Sequence, residues 1–170
     1  MEEVGEFVDI VQTGDYLGTQ TSSFFSVELY REMIKPKEKP LMDLIKNKTK
    51  AKIFYHCDGA ISKFIDDLID IGIDILNPVQ PLAKGMDPST IKASFADRIS
   101  FHGGIDQQQV LTRGTIDDVR EEVKRRIKQL APGGGYILAS SHNILPEVPG
   151  ENVVEMFRAA REYGKYPMTF

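Results

Sequence analysis

Short apolar runs alternate with amphipathic segments along this chain, and that alternation limits its fold more than any single residue does. A helix after each strand carries the chain back to the same sheet edge, so the strands pair in parallel with helices packed outside. The first run is Phe7 to Val11, followed by a polar Gly-Asp turn and a helical segment, Val27 to Ile34, with Ser26 as its N-cap. Pro36 and Pro40 are expected to separate that helix from a second one at about Leu41 to Asn47. Strand Lys52 to Tyr55 precedes a helix in which Ile61, Phe64, Ile65, Leu68 and Ile69 recur at helical spacing and Gly72 closes the end.

Strand Asp74 to Asn77 leads to Asp87-Pro88, an N-cap with proline at the first helical position, and a helix to about Ala96. Strand Ile99 to Phe101 runs into His102-Gly103-Gly104-Ile105-Asp106 and is followed by a charged helix, Ile116 to Leu130, capped by Thr115. Strand Tyr136 to Ala139 runs into Ser140-Ser141-His142-Asn143, and a last helix spans about Glu151 to Tyr163. This makes about five βα units, where a closed (β/α)₈ barrel needs eight. Gly133-Gly134-Gly135 precedes a strand, so it reads as a tight αβ turn and not as a phosphate loop, which follows a strand and opens a helix.

The same pattern sorts the polar residues. His56, His102, His142, Asp15, Asp58, Asn77, Gln80 and Asp106 all fall at or just past the C-terminal ends of strands, the edge where parallel α/β folds bind ligands. Within Lys52-Ile53-Phe54-Tyr55-His56-Cys57-Asp58-Gly59, strand alternation aims His56 and Asp58 together and turns Cys57 to the other side. An imidazole and a carboxylate aimed together form half of a metal or acid–base site. His102 reads more simply as a capping or packing histidine. The helix face Arg120 to Lys128 is a solvated surface.

Composition excludes several classes. A net charge of −4 lacks the basic excess of a general nucleic-acid binder. No apolar run is long enough to span a bilayer, and Met1-Glu2-Glu3-Val4-Gly5 has neither part of a secretory signal. A single cysteine allows no intrachain disulfide and fits a reducing compartment, so a cytoplasmic location is expected. At 170 residues the chain is one domain.

Several motifs together resemble the C-terminal part of the uroporphyrinogen decarboxylase superfamily. They are Gly14-Asp15-Tyr16-Leu17-Gly18-Thr19-Gln20, Phe54 to Gly59, Asp74 to Gln80, Gly103-Gly104-Ile105-Asp106, Gly134 to Ala139, His142-Asn143-Ile144 and Val148-Pro149-Gly150-Glu151-Asn152. The resemblance covers essentially the whole chain. It implies a TIM (β/α)₈ barrel represented by about its last five βα units, with residues 1–170 as the C-terminal part of one domain and about three N-terminal units absent. The superfamily includes the decarboxylase of haem biosynthesis and corrinoid-dependent methyltransferases of the methylcobalamin:coenzyme M type.

The motifs separate the two branches. Methyltransferases of this group carry His-x-Cys at the positions of His56 to Asp58 and a second Cys after the strand matching Tyr136 to Ala139, which together ligate zinc. Here Asp58 stands at the first cysteine position and His142 at the second. The decarboxylase branch lacks a histidine at the position of His56 and carries one at that of His142. Two imidazoles and a carboxylate form a harder donor set than thiolates, suited to zinc or another divalent transition metal. Related methyltransferase-like proteins that act on methyl ethers show His-x-Asp-Gly patterns of this kind.

The resemblance therefore implies metal ligands His56, Asp58 and His142, catalytic Asp15, Asp58 and Asp106, and substrate contacts at Asn77, Gln80, Gly103 and Gly104. It implies a small-molecule substrate and a corrinoid carried by a partner protein. Asp15 and Asp106 are also read as helix caps or binders of backbone amides. Three functions stay open: metal-assisted methyl transfer, porphyrinogen decarboxylation, and a truncated, catalytically incomplete domain. Five parallel strands leave two unpaired edges, so a homo-oligomer or a complementing N-terminal fragment is expected as partner.

Overall fold

The computed structural model describes residues 3–168. Five parallel strands form one sheet in the order β1-β2-β3-β4-β5: β1 Ile10–Gly14, β2 Lys52–His56, β3 Ile75–Val79, β4 Ser100–Ile105 and β5 Tyr136–Ser140. Each strand lies beside the one before it in sequence, and helical segments connect them. The helices are α1 Val27–Leu29, α2 Lys35–Lys48, α3 Ile65–Asp70, α4 Pro88–Phe95, α5 Ile116–Leu130 and α6 Gly150–Tyr163. The architecture is α/β, with five of the eight units that a closed barrel needs.

Side-chain alternation gives the sheet two unlike faces. In β2, Ile53 and Tyr55 are fully buried, and Cys57 follows them into the core. With Leu76 and Phe101 they pack against Met42, Ile45, Phe64, Leu68 and Ile91 from the helical layer. Burying each such side chain contributes about 1.5–3 kcal/mol. The other face carries Phe54, His56, Asn77 and His102, which line an open cleft. A second core joins α5 to α6 through Val119, Val123, Ile127, Met156 and Ala159.

The helix starts follow local chemistry. Thr115 and Asp118 form a reciprocal capping box at α5, and the Asp87 carboxylate accepts from the Thr90 N–H at 2.8 Å ahead of Pro88. Two charge clusters tie the helices down. Asp67 in α3 receives Arg31 at 3.0 Å and Lys35 at 2.7 Å, and buried Glu122 in α5 receives Arg126 at 2.9 Å.

Four expectations need correction. β1 starts at Ile10 and not at Phe7: its ladder runs from Ile10↔Lys52 to Gly14↔His56, which leaves Phe7 outside it and 77% exposed. Polar Gln12 enters β1 because its side chain faces the open cleft, while Thr13 on the other face lies 3.9 Å from Met42 Sδ. Pro36 and Pro40 do not break the helix: a π-helical segment, Tyr30–Ile34, joins α1 to α2, and both prolines lie within α2. Pro36 sits in the first turn, where a missing N–H costs nothing. β4 extends to Ile105, so His102, Gly103 and Gly104 lie within the strand and not past it. A π-turn, Gln107–Leu111, also follows β4 where no helix is expected from sequence.

Candidate functional site

Three neighbouring strands build the site. The register pairs His56 of β2 with Asn77 of β3, and β4 brings His102 to the other side of Asn77. Asn77 Oδ1 lies 2.6 Å from His56 Nδ1, and Asn77 Nδ2 lies 2.7 Å from His102 Nδ1. The His102 ring also meets Phe54 edge-on, with centroids 5.0 Å apart. Burial holds the His102 imidazole below its usual pKa, so it is neutral at pH 7.

Asp58 follows β2 by two residues and lies on the His56 side, with its Oδ2 3.3 Å from His56 Nε2. Its Oδ1 is buried and, among the described residues, has no hydrogen-bond partner. A buried carboxylate oxygen without a donor is costly unless something positive reaches it. Cys57 points the other way. Leu17 donates its N–H to Cys57 Sγ at 3.3 Å, and burial pushes the thiol up to about 12, so it stays protonated and offers no thiolate.

The cleft above the sheet has a volume of about 530 Å³. His142, just past β5, lines it together with His56 and His102, and its Nδ1 lies 3.2 Å from the Asn143 carbonyl. The three expected metal donors are not assembled, because no three His, Cys, Asp or Glu side chains among the described residues come within metal-holding reach. His56 and Asp58 form a two-donor set, and His142 faces them across the cleft.

Each of the other expected site residues has a structural contact in this fold. Asp15 is exposed, accepts from the Tyr16 N–H at 2.7 Å, and lines a groove at the open edge of β1 away from the histidines. Asp106 is buried and caps the π-turn, accepting from the N–H groups of Gln108 and Gln109 at 2.8 and 3.2 Å. Gly103 has a φ of +101°, and a Cβ there would meet Pro78 Cβ at 3.0 Å, so close strand packing accounts for it. A Cβ on Gly104 would lie 2.9 Å from the Tyr136 hydroxyl. Gln80 accepts from the Gly59 N–H at 2.9 Å and donates to Gln20 Oε1 at 2.7 Å, bracing the loop that carries Asp58.

Asn77 does line the cleft, held between two imidazoles. The sequence pattern reads His102 as a capping or packing histidine and does not single out Phe54 as a site residue, although the two rings pack together here. Their shared position follows from strand register, although the even spacing of Phe54, His56 and Asp58 was a visible signal for one face of β2.

A family model described as uroporphyrinogen decarboxylase matches residues 4–163. The chain belongs to this family. A uroporphyrinogen decarboxylase from Rickettsia felis is 27% identical over 131 residues, which cover 77% of this chain and 36% of the relative. A methylcobamide:CoM methyltransferase from Methanosarcina barkeri is 28% identical over 108 residues, covering 64% of this chain and 30% of the relative. The chain thus spans about a third of the length of these curated relatives.

Among solved structures, a methyltransferase from Methanosarcina mazei superposes with a TM-score of 0.74 at 19% identity, over 94% of this chain and 43% of that one. A dihydropteroate synthase from Coxiella burnetii superposes at 0.53 and 16% identity, over 94% of this chain and 57% of that one. These likenesses establish the fold, an α/β barrel architecture represented here by five of its units.

Proposed function

We propose that this chain supplies the metal-binding part of an enzyme, acting in the cytoplasm, that moves a methyl group between a small methylated substrate or thiol and a corrinoid carried by a partner protein. The carrying observation is the His56–Asp58 pair with its orphaned, buried Asp58 Oδ1. A lone pair on His56 Nε2 and two carboxylate oxygens are donors of the kind a divalent transition metal takes. His56 and Asp58 would hold that metal, and His142 lines the same cleft from the loop after β5. Once bound, it would supply Lewis acidity toward a substrate oxygen or sulfur.

The chain's own residues do the positioning. Asn77 fixes the His56 ring, Gln80 holds the Gly59 backbone next to Asp58, and Phe54 packs against His102 at the cleft floor. The side chains lining the cleft are amides, imidazoles, the Ser140 hydroxyl and apolar groups. The His56–Asp58 donor pair, which decarboxylation does not call for, favours metal-assisted methyl transfer over that reading.

The test loads the purified full gene product with zinc or cobalt and supplies a methylated corrinoid and a small thiol. Metal-dependent formation of the methyl thioether supports the reading. Release of carbon dioxide from uroporphyrinogen by metal-free protein, with no methyl transfer, would overturn it.

A further inference from the structure

The Asn77 side chain has one end that can only accept a hydrogen bond and one that can only donate. Both ends meet the same kind of atom, an imidazole Nδ1, at 2.6 Å on His56 and 2.7 Å on His102. At Oδ1, His56 Nδ1 must carry the proton and donate. At Nδ2, His102 Nδ1 must be bare and accept. Rings held this way differ at Nδ1, one carrying the proton there and the other not.

We infer that Asn77 is a positioning residue that holds the two histidines in opposite tautomers. His56 thereby turns a lone pair on Nε2 toward Asp58, while His102 presents an Nε2–H to the cleft as donor to a neutral oxygen of the substrate.

The surroundings of each ring agree. His56 Nε2 lies 3.3 Å from Asp58 Oδ2, beyond the roughly 2.7–2.9 Å of a charge-assisted N–H···O bond. Asp58 Oδ1 has no donor either. With the His56 proton on Nδ1, Nε2 and the Asp58 carboxylate are acceptors facing one another, an arrangement that a cation between them would resolve. His102 is kept neutral by burial, has Nδ1 occupied by Asn77 and its ring edge-on to Phe54, and lines the cleft. A neutral ring that accepts at Nδ1 must carry its proton on Nε2. His102 is therefore a hydrogen-bond donor and not a third metal ligand.

The inference rests on reading His56 as a cation ligand, and one experiment separates the two. Chelator-treated, ¹⁵N-histidine-labelled protein is examined by long-range proton–nitrogen correlation at mildly alkaline pH. Each of the three histidines is assigned through its His→Gln variant. The expected pattern is His56 protonated on Nδ1 and His102 on Nε2. In Asn77→Asp both ends of the side chain accept, so His102 shifts to Nδ1–H while His56 is unchanged. In Asn77→Ala both rings revert to the Nε2–H form favoured by free histidine, an effect that a purely structural role would not produce.

Both rings in one tautomer in the unsubstituted protein, or a His56 proton on Nε2, would overturn the inference, and that spectrum decides even if a variant misfolds. Zinc titration of the same sample is read independently. Zinc that fails to bind removes the metal reading and leaves the tautomers standing. Zinc that binds while both rings share a tautomer does the reverse.

Discussion

Gln80 holds the backbone of Gly59 from the neighbouring strand end, its side-chain oxygen accepting the Gly59 N–H at 2.9 Å. Gly59 immediately follows Asp58, so this bond fixes the exit of the chain from the candidate site. Gly59 itself has a φ of +88°, and an added Cβ would lie 2.5 Å from the Thr19 carbonyl oxygen. Gly59→Ala is therefore expected to destabilise the fold by about 1–3 kcal/mol through backbone strain alone. Urea denaturation should show a lowered midpoint, with Gln80→Ala giving a smaller loss of about 1 kcal/mol for one neutral hydrogen bond.

Metal content offers a second test. His56→Ala is expected to abolish stoichiometric zinc or cobalt in the full gene product, measured by elemental analysis after purification without chelator. Asn77→Ala should keep the metal but weaken it by about 10–100-fold, the usual cost of losing a partner that orients a ligand. Equal metal content in all three proteins would place the ion elsewhere.

Asp67 makes stability depend on pH at the acid end. Burial alone would raise its pKa, but hydrogen bonds from Arg31 and Lys35 outweigh it and hold the carboxylate below its ordinary value. The unfolded group titrates near about 3.9. Between the folded and unfolded values the folded chain binds fewer protons, so this contribution is full above pH 4 and is lost as pH falls through the folded value. Asp67→Asn should cost about 1–3 kcal/mol at pH 7, and denaturation curves of variant and parent should converge once the pH has fallen through the folded value. A gap that persists in acid would mean that packing, not charge, sets the loss.

Assembly is the fourth expectation. Among the described residues no further strand pairs with the outer edge of β1 or β5, and Ile10 at the first edge and Ile137 at the last are 49% and 40% exposed. Val154 and Phe157 of α6 are also exposed. Unpaired parallel edges next to apolar side chains recruit other chains. Light scattering of the 170-residue chain is expected to show a species larger than the 19.1 kDa monomer. A monodisperse, cooperatively folding monomer would refute this.

The fold was legible wherever its signals are local. Thr115 with Asp118 and Asp87 with Pro88 mark helix starts within four residues, and the helical period after Ile116 carries α5 to Leu130 as expected. Features that depend on neighbouring strands were not legible. Glycines 103 and 104 argued against a strand, yet β4 runs through them because they allow close approach to Pro78 and Tyr136. The prolines of α2 read as breakers because nothing in sequence announces a π-helical segment before them. The His56–Asp58 pairing followed from alternation within one strand. The link from His56 through Asn77 to His102 needed three strands in register, which no single-strand pattern reveals.

Because every strand in this sheet lies beside its sequence predecessor, the molecule is held together as a row of nearest neighbours. No strand waits for a distant part of the chain before it can pair, so loop-closure entropy is met in small steps. A backbone cut in the Pro132–Gly135 turn would break only one link of that row, leaving the β4–β5 ladder and the α5–α6 contact to hold two separately made pieces together.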